Sequence, residues 1–230
     1  MVYPRTKLLS FVWIISLMTL LVMFMSFLAN GNELVTLPQI EGNDNDLISA
    51  IINRKAERQF AAETIALKDL ALILWAGSGI KDPQVDSVSH ATRTIPSAMG
   101  IYPIGVYVFA LQVENLPSSI YLYLPEKHAL QEIPSVNVTE ALTKITNQRA
   151  VQNASLVFLI AFHRDKSSRM NDKFAYFEAG EVVQNISLMA VDRGLGSYVI
   201  GMYNQEKIIE VLNEENIEPV VLMAVGKPSQ

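Results

Sequence analysis

Apolar residues are distributed along this chain in two different ways. From Leu8 to Ala29 the run LLSFVWIISLMTLLVMFMSFLA carries no charge; as a helix rising 1.5 Å per residue it would reach roughly 33 Å, enough to span a bilayer. Beyond it, apolar positions recur at the periods of ordinary secondary structure. Helical spacing over Asp46–Arg58 and Ala66–Trp75 predicts two short helices, the second stopped by Gly77 and Gly79. Runs rich in β-branched and aromatic residues, Gly105–Val113 and Ser119–Leu124, flank the turn-like Glu114–Ser118 and predict a hairpin. A helix over Val138–Gln148, a strand over Ser155–Phe162 and a long helix over Lys173–Arg193 closed by Gly194 follow. A strand at Tyr198–Met202, a helix at Gln205–Leu212 and a strand at Val220–Val225 end the pattern. Strands and helices mix without regular alternation, which predicts an α+β domain. The long helix carries Phe174, Tyr176, Phe177, Val182, Val183, Ile186, Leu188, Met189 and Val191 on nearly all sides. Such a helix is expected to be buried centrally or across a subunit interface, which points to a homodimer.

The organisation expected is an N-terminal segment over 1–32, a linker over 33–46 rich in Gly, Asn, Pro and acids, and one domain over 47–230. Arg5 and Lys7 precede the apolar run, whereas Glu33, Glu41, Asp44 and Asp46 follow it and no basic residue comes before Arg54. The positive-inside rule then places the N-terminus in the cytoplasm and the domain outside the membrane, held by an uncleaved anchor. A cleaved signal peptide is the alternative, with small residues at Ala29-Asn30-Gly31.

Composition narrows the chemistry. Of 230 residues 50% are hydrophobic and 18% charged, too apolar for disorder. The net charge of −5, without a basic cluster, argues against a nucleic-acid partner. There is no cysteine, so thiolate catalysis and cysteine-ligated metals are excluded and redox chemistry would need a bound cofactor. His90, His128 and His163 match no metal-ligand spacing, and no Walker loop, Gly-x-Gly-x-x-Gly or Gly-x-Ser-x-Gly motif is present. Sequons at Asn137, Asn153 and Asn185 are assigned no function.

Two segments hold candidate chemistry. Asn53-Arg54-Lys55-Ala56-Glu57-Arg58-Gln59-Phe60 places three cations within five positions, and Ile95-Pro96-Ser97-Ala98-Met99-Gly100-Ile101-Tyr102-Pro103 is a tight loop whose backbone N–H groups could meet a phosphate or a heterocycle. Further along come Leu72 to Gly79, supplying most of Leu-x-x-Leu-Trp-Ala-Gly-x-Gly, and Ile120-Tyr121-Leu122-Tyr123 with Pro125 and His128. Glu178-Ala179-Gly180-Glu181-Val182-Val183-Gln184-Asn185, Gly194-Leu195-Gly196 and Ala224-Val225-Gly226-Lys227 complete the series. In this order over residues 47 to 228, the segments resemble the SagB/ThcOx-type branch of the nitroreductase superfamily.

That resemblance implies a nitroreductase-like fold, a central mixed and mainly antiparallel sheet flanked by helices. It also implies a flavin mononucleotide (FMN)-dependent oxidoreductase that passes hydride through flavin N5 between a reduced donor and a small-molecule acceptor, with its flavin site built between two subunits. Arg54, with Lys55 and Lys227, would hold the phosphate, and Arg58 would sit beside the N1–O2 edge where charge builds on reduction. Pro96, Ser97, Ala98 and Gly100 would line the flavin, and Gly201 would present a backbone N–H near N5. The family's serine after the basic pair is Ala56 here, its Glu-Ala-Gly-His carries Glu181 for the histidine, and its Lys-Tyr pair is matched by Lys166-Ser167. Lys166 is thus the one catalytic candidate, and azoline oxidation the reaction that Ser167, standing where the pair has tyrosine, disfavours. Two other readings stay open: a protein that holds FMN without turnover, and a membrane scaffold with a nitroreductase fold.

Overall fold

The structure, a computed structural model, describes residues 17–19, 46–82, 93–133, 137–167 and 171–229. The chain divides into two compact units, 1–41 and 42–230. Among the described residues no helix is long and apolar enough to cross a membrane. The span predicted over Leu8–Ala29 lies outside them except for Leu17–Thr19, which is helical.

The second unit runs α1 (Asp46–Asn53), α2 (Leu67–Ser78), β1 (Ile104–Ala110), β2 (Ile120–Leu124), β3 (Ala129–Ile133), α3 (Val138–Ile145), β4 (Leu156–His163), α4 (Asp172–Asp192), β5 (Gly196–Ile200), α5 (Gln205–Leu212) and β6 (Ile217–Gly226). Six strands form one sheet in the order β3-β2-β1-β4-β6-β5. Every neighbouring pair is antiparallel, so the mixed sheet expected is corrected. Parallel pairing survives in isolated bridges, one of them Ala56 to Ser197 on the β5 edge.

Strand periodicity builds two cores. Leu156, Phe158, Ile160 and Phe162 of β4 face α2 and α4 with Ile73, Val182 and Ile186. Val157, Leu159 and Ala161 point the other way, toward α3 and α5 with Leu142 and Ile208. Both faces of β4 are therefore buried, which is why it reads as an unbroken apolar run. Asn137, Asn171 and Asn204 cap α3, α4 and α5, each side chain accepting a backbone N–H from the first turn. Gly194, at φ +69°, follows the last turn of α4 as expected.

Three expected elements change. The first helix stops at Asn53 instead of Arg58, because the following segment gives its backbone to the sheet edge: Glu57 N–H donates to Ser197 O (2.9 Å), Ala61 N–H to Lys227 O (2.8 Å) and Ser229 N–H to Gln59 O (3.0 Å). Gly77 lies inside α2 instead of ending it, since a Cβ there would come 2.8 Å from Ile186 Cγ1 where α2 crosses α4. And α4 is not apolar all round. Ala175, Glu178, Ala179, Val182, Ile186, Ser187 and Ala190 form its buried stripe, while Phe174, Tyr176 and Phe177 lie exposed on its first turns.

Candidate functional site

The sequence-predicted residues gather in three places. The first is the outer edge of β5. Pairing of 56–61 with Ser197 and Lys227 brings Arg54, Lys55, Arg58 and Lys227 to the beginning of that strand; Arg54 still closes α1, its N–H donating to Ala50 O (3.0 Å), while Arg58 lies beyond the helix. The Arg58 guanidinium lies 4.8 Å from the centroid of the Tyr198 ring. Neither Arg54 nor Arg58 has a carboxylate partner among the described residues, whereas Lys55 pairs with Glu57 at 3.5 Å and Lys227 with Glu63 at 2.9 Å. Gly201 follows the same strand, about 13 Å from Ser197 at strand rise. A Cβ on it would meet nothing within 4 Å, so the backbone there is open to an approaching group. Next to it Met202, Tyr203, Thr146 and Lys144 line an open cavity of about 600 Å³.

The second place is the loop before β1, against the beginning of α4. Pro96, Ser97 and Ala98 with Phe174, Phe177, Glu178 and Glu181 line a cavity of about 360 Å³. The loop is wound tightly: Met99, Gly100 and Tyr102 have φ of 56°, 65° and 50°. A residue without Cβ suits the middle one, and the Tyr102 N–H donating to Ser97 Oγ (2.9 Å) holds the turn. Ser97 in turn donates its hydroxyl to Glu178, which also accepts the Ile104 N–H. Glu178 is 3% exposed, and its Oε2 has no hydrogen-bond partner among the described residues. Burial raises its pKa to about 7 and Glu181 adds to the rise; the hydrogen bonds from Ser97 and Ile104 and the charge of Arg93 oppose it. Burial also pushes Glu181 up.

The third place is a narrow cleft of about 100 Å³ on the adjoining side, lined by Arg93, Tyr102, Tyr123, Glu126, His163 and Lys166 among others. Arg93 pairs with Glu126 and lies 4.5 Å from the Tyr102 ring centroid. Tyr123, whose hydroxyl sits 2.8 Å from His128 Nδ1, is pushed up to about 12 by burial. His163 is pushed down, by burial first and then by the charge of Lys166. Its ring can lie against β1 because residue 105 is glycine: a Cβ there would be 2.4 Å from Nε2. Lys166 therefore shares a cleft with two tyrosines from distant segments. Tyr176 is committed elsewhere, donating its hydroxyl to Glu218 at 2.6 Å.

The first two places are not joined within one chain. Glu178 lies fourteen residues, about 21 Å of helix, before the end of α4, next to which β5 begins. Three strand spacings, about 14 Å, also separate β1 from β5. Sequence reasoning did not single out Glu178, Phe174, Phe177 or Arg93 as site residues. The signal for Glu178 was available: it is the one carboxylate at the register of Ala175, Ala179, Val182 and Ile186.

Comparison with known proteins agrees with this architecture. The Nitroreductase family profile matches residues 51–227. A Methanocaldococcus jannaschii protein named as a nitroreductase is 29% identical over 198 residues, covering 84% of this chain and 96% of its own. An E. coli microcin synthetase McbBCD complex, solved with truncated pro-MccB17 bound, contains a chain that superposes with TM-score 0.67 at 18% identity, over 87% of this chain and 77% of that one. A nitroreductase of Desulfovibrio desulfuricans solved in complex with FMN superposes with TM-score 0.54 at 19% identity, over 82% and 89%.

Proposed function

The chain belongs to the nitroreductase family, and from that premise we propose that it is an FMN-dependent oxidoreductase of the SagB/ThcOx-type branch, working as a homodimer on a small molecule. The observation that carries this reading is the gathering of Arg54, Lys55, Arg58 and Lys227 at the start of the β5 edge, with open Gly201 backbone at its end. The residues fit the group. Two guanidiniums without carboxylate partners among the described residues are suited to a phosphate dianion, which planar donors grip bidentately. A strand edge supplies backbone donors to a heterocycle. When bound, FMN supplies hydride transfer between a reduced donor and an acceptor.

The loop Pro96–Ala98 is the part of the expected flavin site that its own β5 edge cannot use, and a second copy of the chain supplies it in this reading. Exposed apolar residues at both places fit such a contact: Ile51, Ile52, Val199 and Met202 at one, Met99 at the other. With Ser167 following Lys166 where the azole-forming pattern has a tyrosine, the substrate is a small molecule in preference to a peptide azoline. The segment over Leu8–Ala29 anchors the chain with its domain outside the cytoplasm, where a quinol or a protein would be the donor; protease protection in intact cells checks this, and a protected domain would reverse it.

The test uses full-length protein purified in detergent. A flavin spectrum, FMN release on denaturation and steady-state reduction of a quinone or nitroaromatic support the enzyme; a flavin-loaded protein without turnover would leave only a binding role. Subunit sharing is checked by mixing Arg54→Ala with Ser97→Pro. If each site takes cations from one chain and the loop from the other, every mixed dimer regains one intact site, whereas no recovery on mixing would place both in one chain.

A further inference from the structure

The cavity at the beginning of α4 contains a feature that the flavin assignment does not use. Glu178 is almost completely buried, it has one oxygen satisfied by Ser97 and Ile104, and its other oxygen has no partner among the described residues. A buried carboxyl with an orphaned oxygen is unfavourable unless something donates to it. Glu181 lies one turn further along α4, on the same cavity wall. The remaining walls are Phe174 and Phe177, with ring centroids 6.5 Å apart, and Pro96 and Ala98. No cation lines the cavity among the described residues. Arg93 lies close enough to act on Glu178 electrostatically but is held by Glu126 and Tyr102, and Lys173 lies on the Phe174 ring at 5.1 Å.

We propose that this cavity binds a protonated organic amine, its ammonium donating to Glu178 Oε2 and facing Glu181, its apolar body lying against Phe174 and Phe177. An ammonium satisfies the orphaned oxygen, offsets the repulsion between two neighbouring carboxyls, and meets aromatic faces that attract cations. A neutral donor such as an alcohol could satisfy Oε2 but would leave the two acids uncompensated. An anion would be repelled. Position 181 is where this chain departs from the Glu-Ala-Gly-His pattern, so the second carboxyl is its own contribution to selectivity. The inference names the substrate class of the proposed oxidoreductase, and rests on that reading only for the amine being a substrate.

Binding also carries a proton signature. The groups acting on Glu178 are Glu181 on its own helix, Ser97 and Arg93 from the loop before β1, and the Ile104 N–H of β1; Tyr102 is charge-coupled to it in turn. With its pKa raised to about 7, Glu178 is partly protonated at neutral pH, so an incoming cation expels a proton and binds more tightly as pH rises from 6 to 8.

The experiment is calorimetric titration of the full-length protein with 2-phenylethylamine, its neutral isostere 2-phenylethanol, and 3-phenylpropionate, with flavin content measured on every sample. The amine is expected to bind at least about tenfold more tightly than the alcohol, with proton release seen as a dependence of the heat on buffer ionisation enthalpy. Glu178→Gln should remove most of that preference and the proton release. Glu181→Gln, at a part-exposed position whose replacement does not threaten folding, should lower it about threefold. Equal affinity for amine and alcohol, or an unchanged preference in Glu181→Gln together with a folded Glu178→Gln, would overturn the proposal. Amine selectivity without flavin would uphold this site while removing the oxidoreductase reading; flavin binding without amine selectivity would do the reverse.

Discussion

The two ends of α4 present opposite electrostatics. Near its end, where β5 begins, cations stand exposed, and Arg54 and Arg58 have no acidic partner among the described residues. At its beginning two carboxyls line a cavity that no cation lines among the described residues, one of them almost completely buried. The first arrangement costs the free protein little, because an exposed guanidinium remains hydrated. The second stores a desolvation penalty that shows in the raised pKa of Glu178. A place that waits for a phosphate can stay in water, while a place that discriminates among small ligands gains by being dry. Helix α4 is the rigid spacer that keeps them apart.

Removing the spacer should have the largest effect. Ile186 is fully buried about two-thirds of the way along α4 and packs where α2 crosses at Gly77. Ile186→Ala should cost about 2–5 kcal/mol in chemical denaturation, and FMN affinity and amine selectivity should fall together. Loss of one without the other would mean that the two ends are not coupled through this helix.

Next comes Glu178→Gln. The folded pKa of about 7 exceeds the ordinary glutamate value of 4.5, so between those pH values the native state retains a proton that the unfolded chain has shed. Stability therefore falls as pH rises through that window, and the loss is complete above about pH 7. A difference of that size amounts to about 3 kcal/mol. Glutamine does not ionise, so the variant should be more stable than wild type at pH 8 by up to about that amount, with the two converging near pH 4.5. Parallel denaturation midpoints across this range would remove Glu178 as the titrating group.

What could be read from the sequence divides along the same line. The cation end was legible because its residues are neighbours, Arg54 to Arg58, and only Lys227 had to be brought from afar. Even so, the helix was extended to Arg58, because spacing alone does not reveal that the N–H of Glu57 will bond to Ser197. Gly77 looked like a stop signal and proved to lie inside α2, where a side chain would collide with Ile186 of α4. Strand β3 was missed because it is a short edge strand with little burial to mark it. At the acid end, Glu178 was visible as part of a motif, but its isolation depends on the loop at Ser97 folding over it from eighty residues away, which periodicity does not encode. Phe174 and Phe177 strengthened the expectation of a helix buried all round, yet they are exposed cavity walls.

Arg54→Ala sharpens the comparison from the cation side. Truncating a charge-assisted phosphate contact should cost about 1.5–3 kcal/mol, roughly ten- to a hundredfold in FMN affinity. Stability of the flavin-free protein should hardly change, since the side chain has no carboxylate partner to lose among the described residues. Fluorescence titration with FMN alongside thermal melts separates the two effects, and equal affinities would remove Arg54 from the phosphate site.

The smallest effect is expected at Lys227, and the reason lies in its pairing. Lys227 Nζ is 2.9 Å from Glu63, both half-exposed, and that contact raises the lysine pKa, by the hydrogen bond first and the charge second. To reach a phosphate the ammonium must leave a carboxylate it already holds, so part of the new contact is offset by the old one. Exposed pairs contribute little, and Lys227→Ala should therefore weaken FMN by only a few-fold, well below Arg54→Ala. Glu63→Gln supplies the converse: it frees the lysine while leaving the cation in place, and should tighten FMN by a similar few-fold at low salt. That gain should shrink as ionic strength rises, because the charges involved are exposed and screened. If Lys227→Ala instead matched Arg54→Ala, the Glu63 pair would have to be broken in the flavin-bound protein, and the two cations would act as one phosphate clamp.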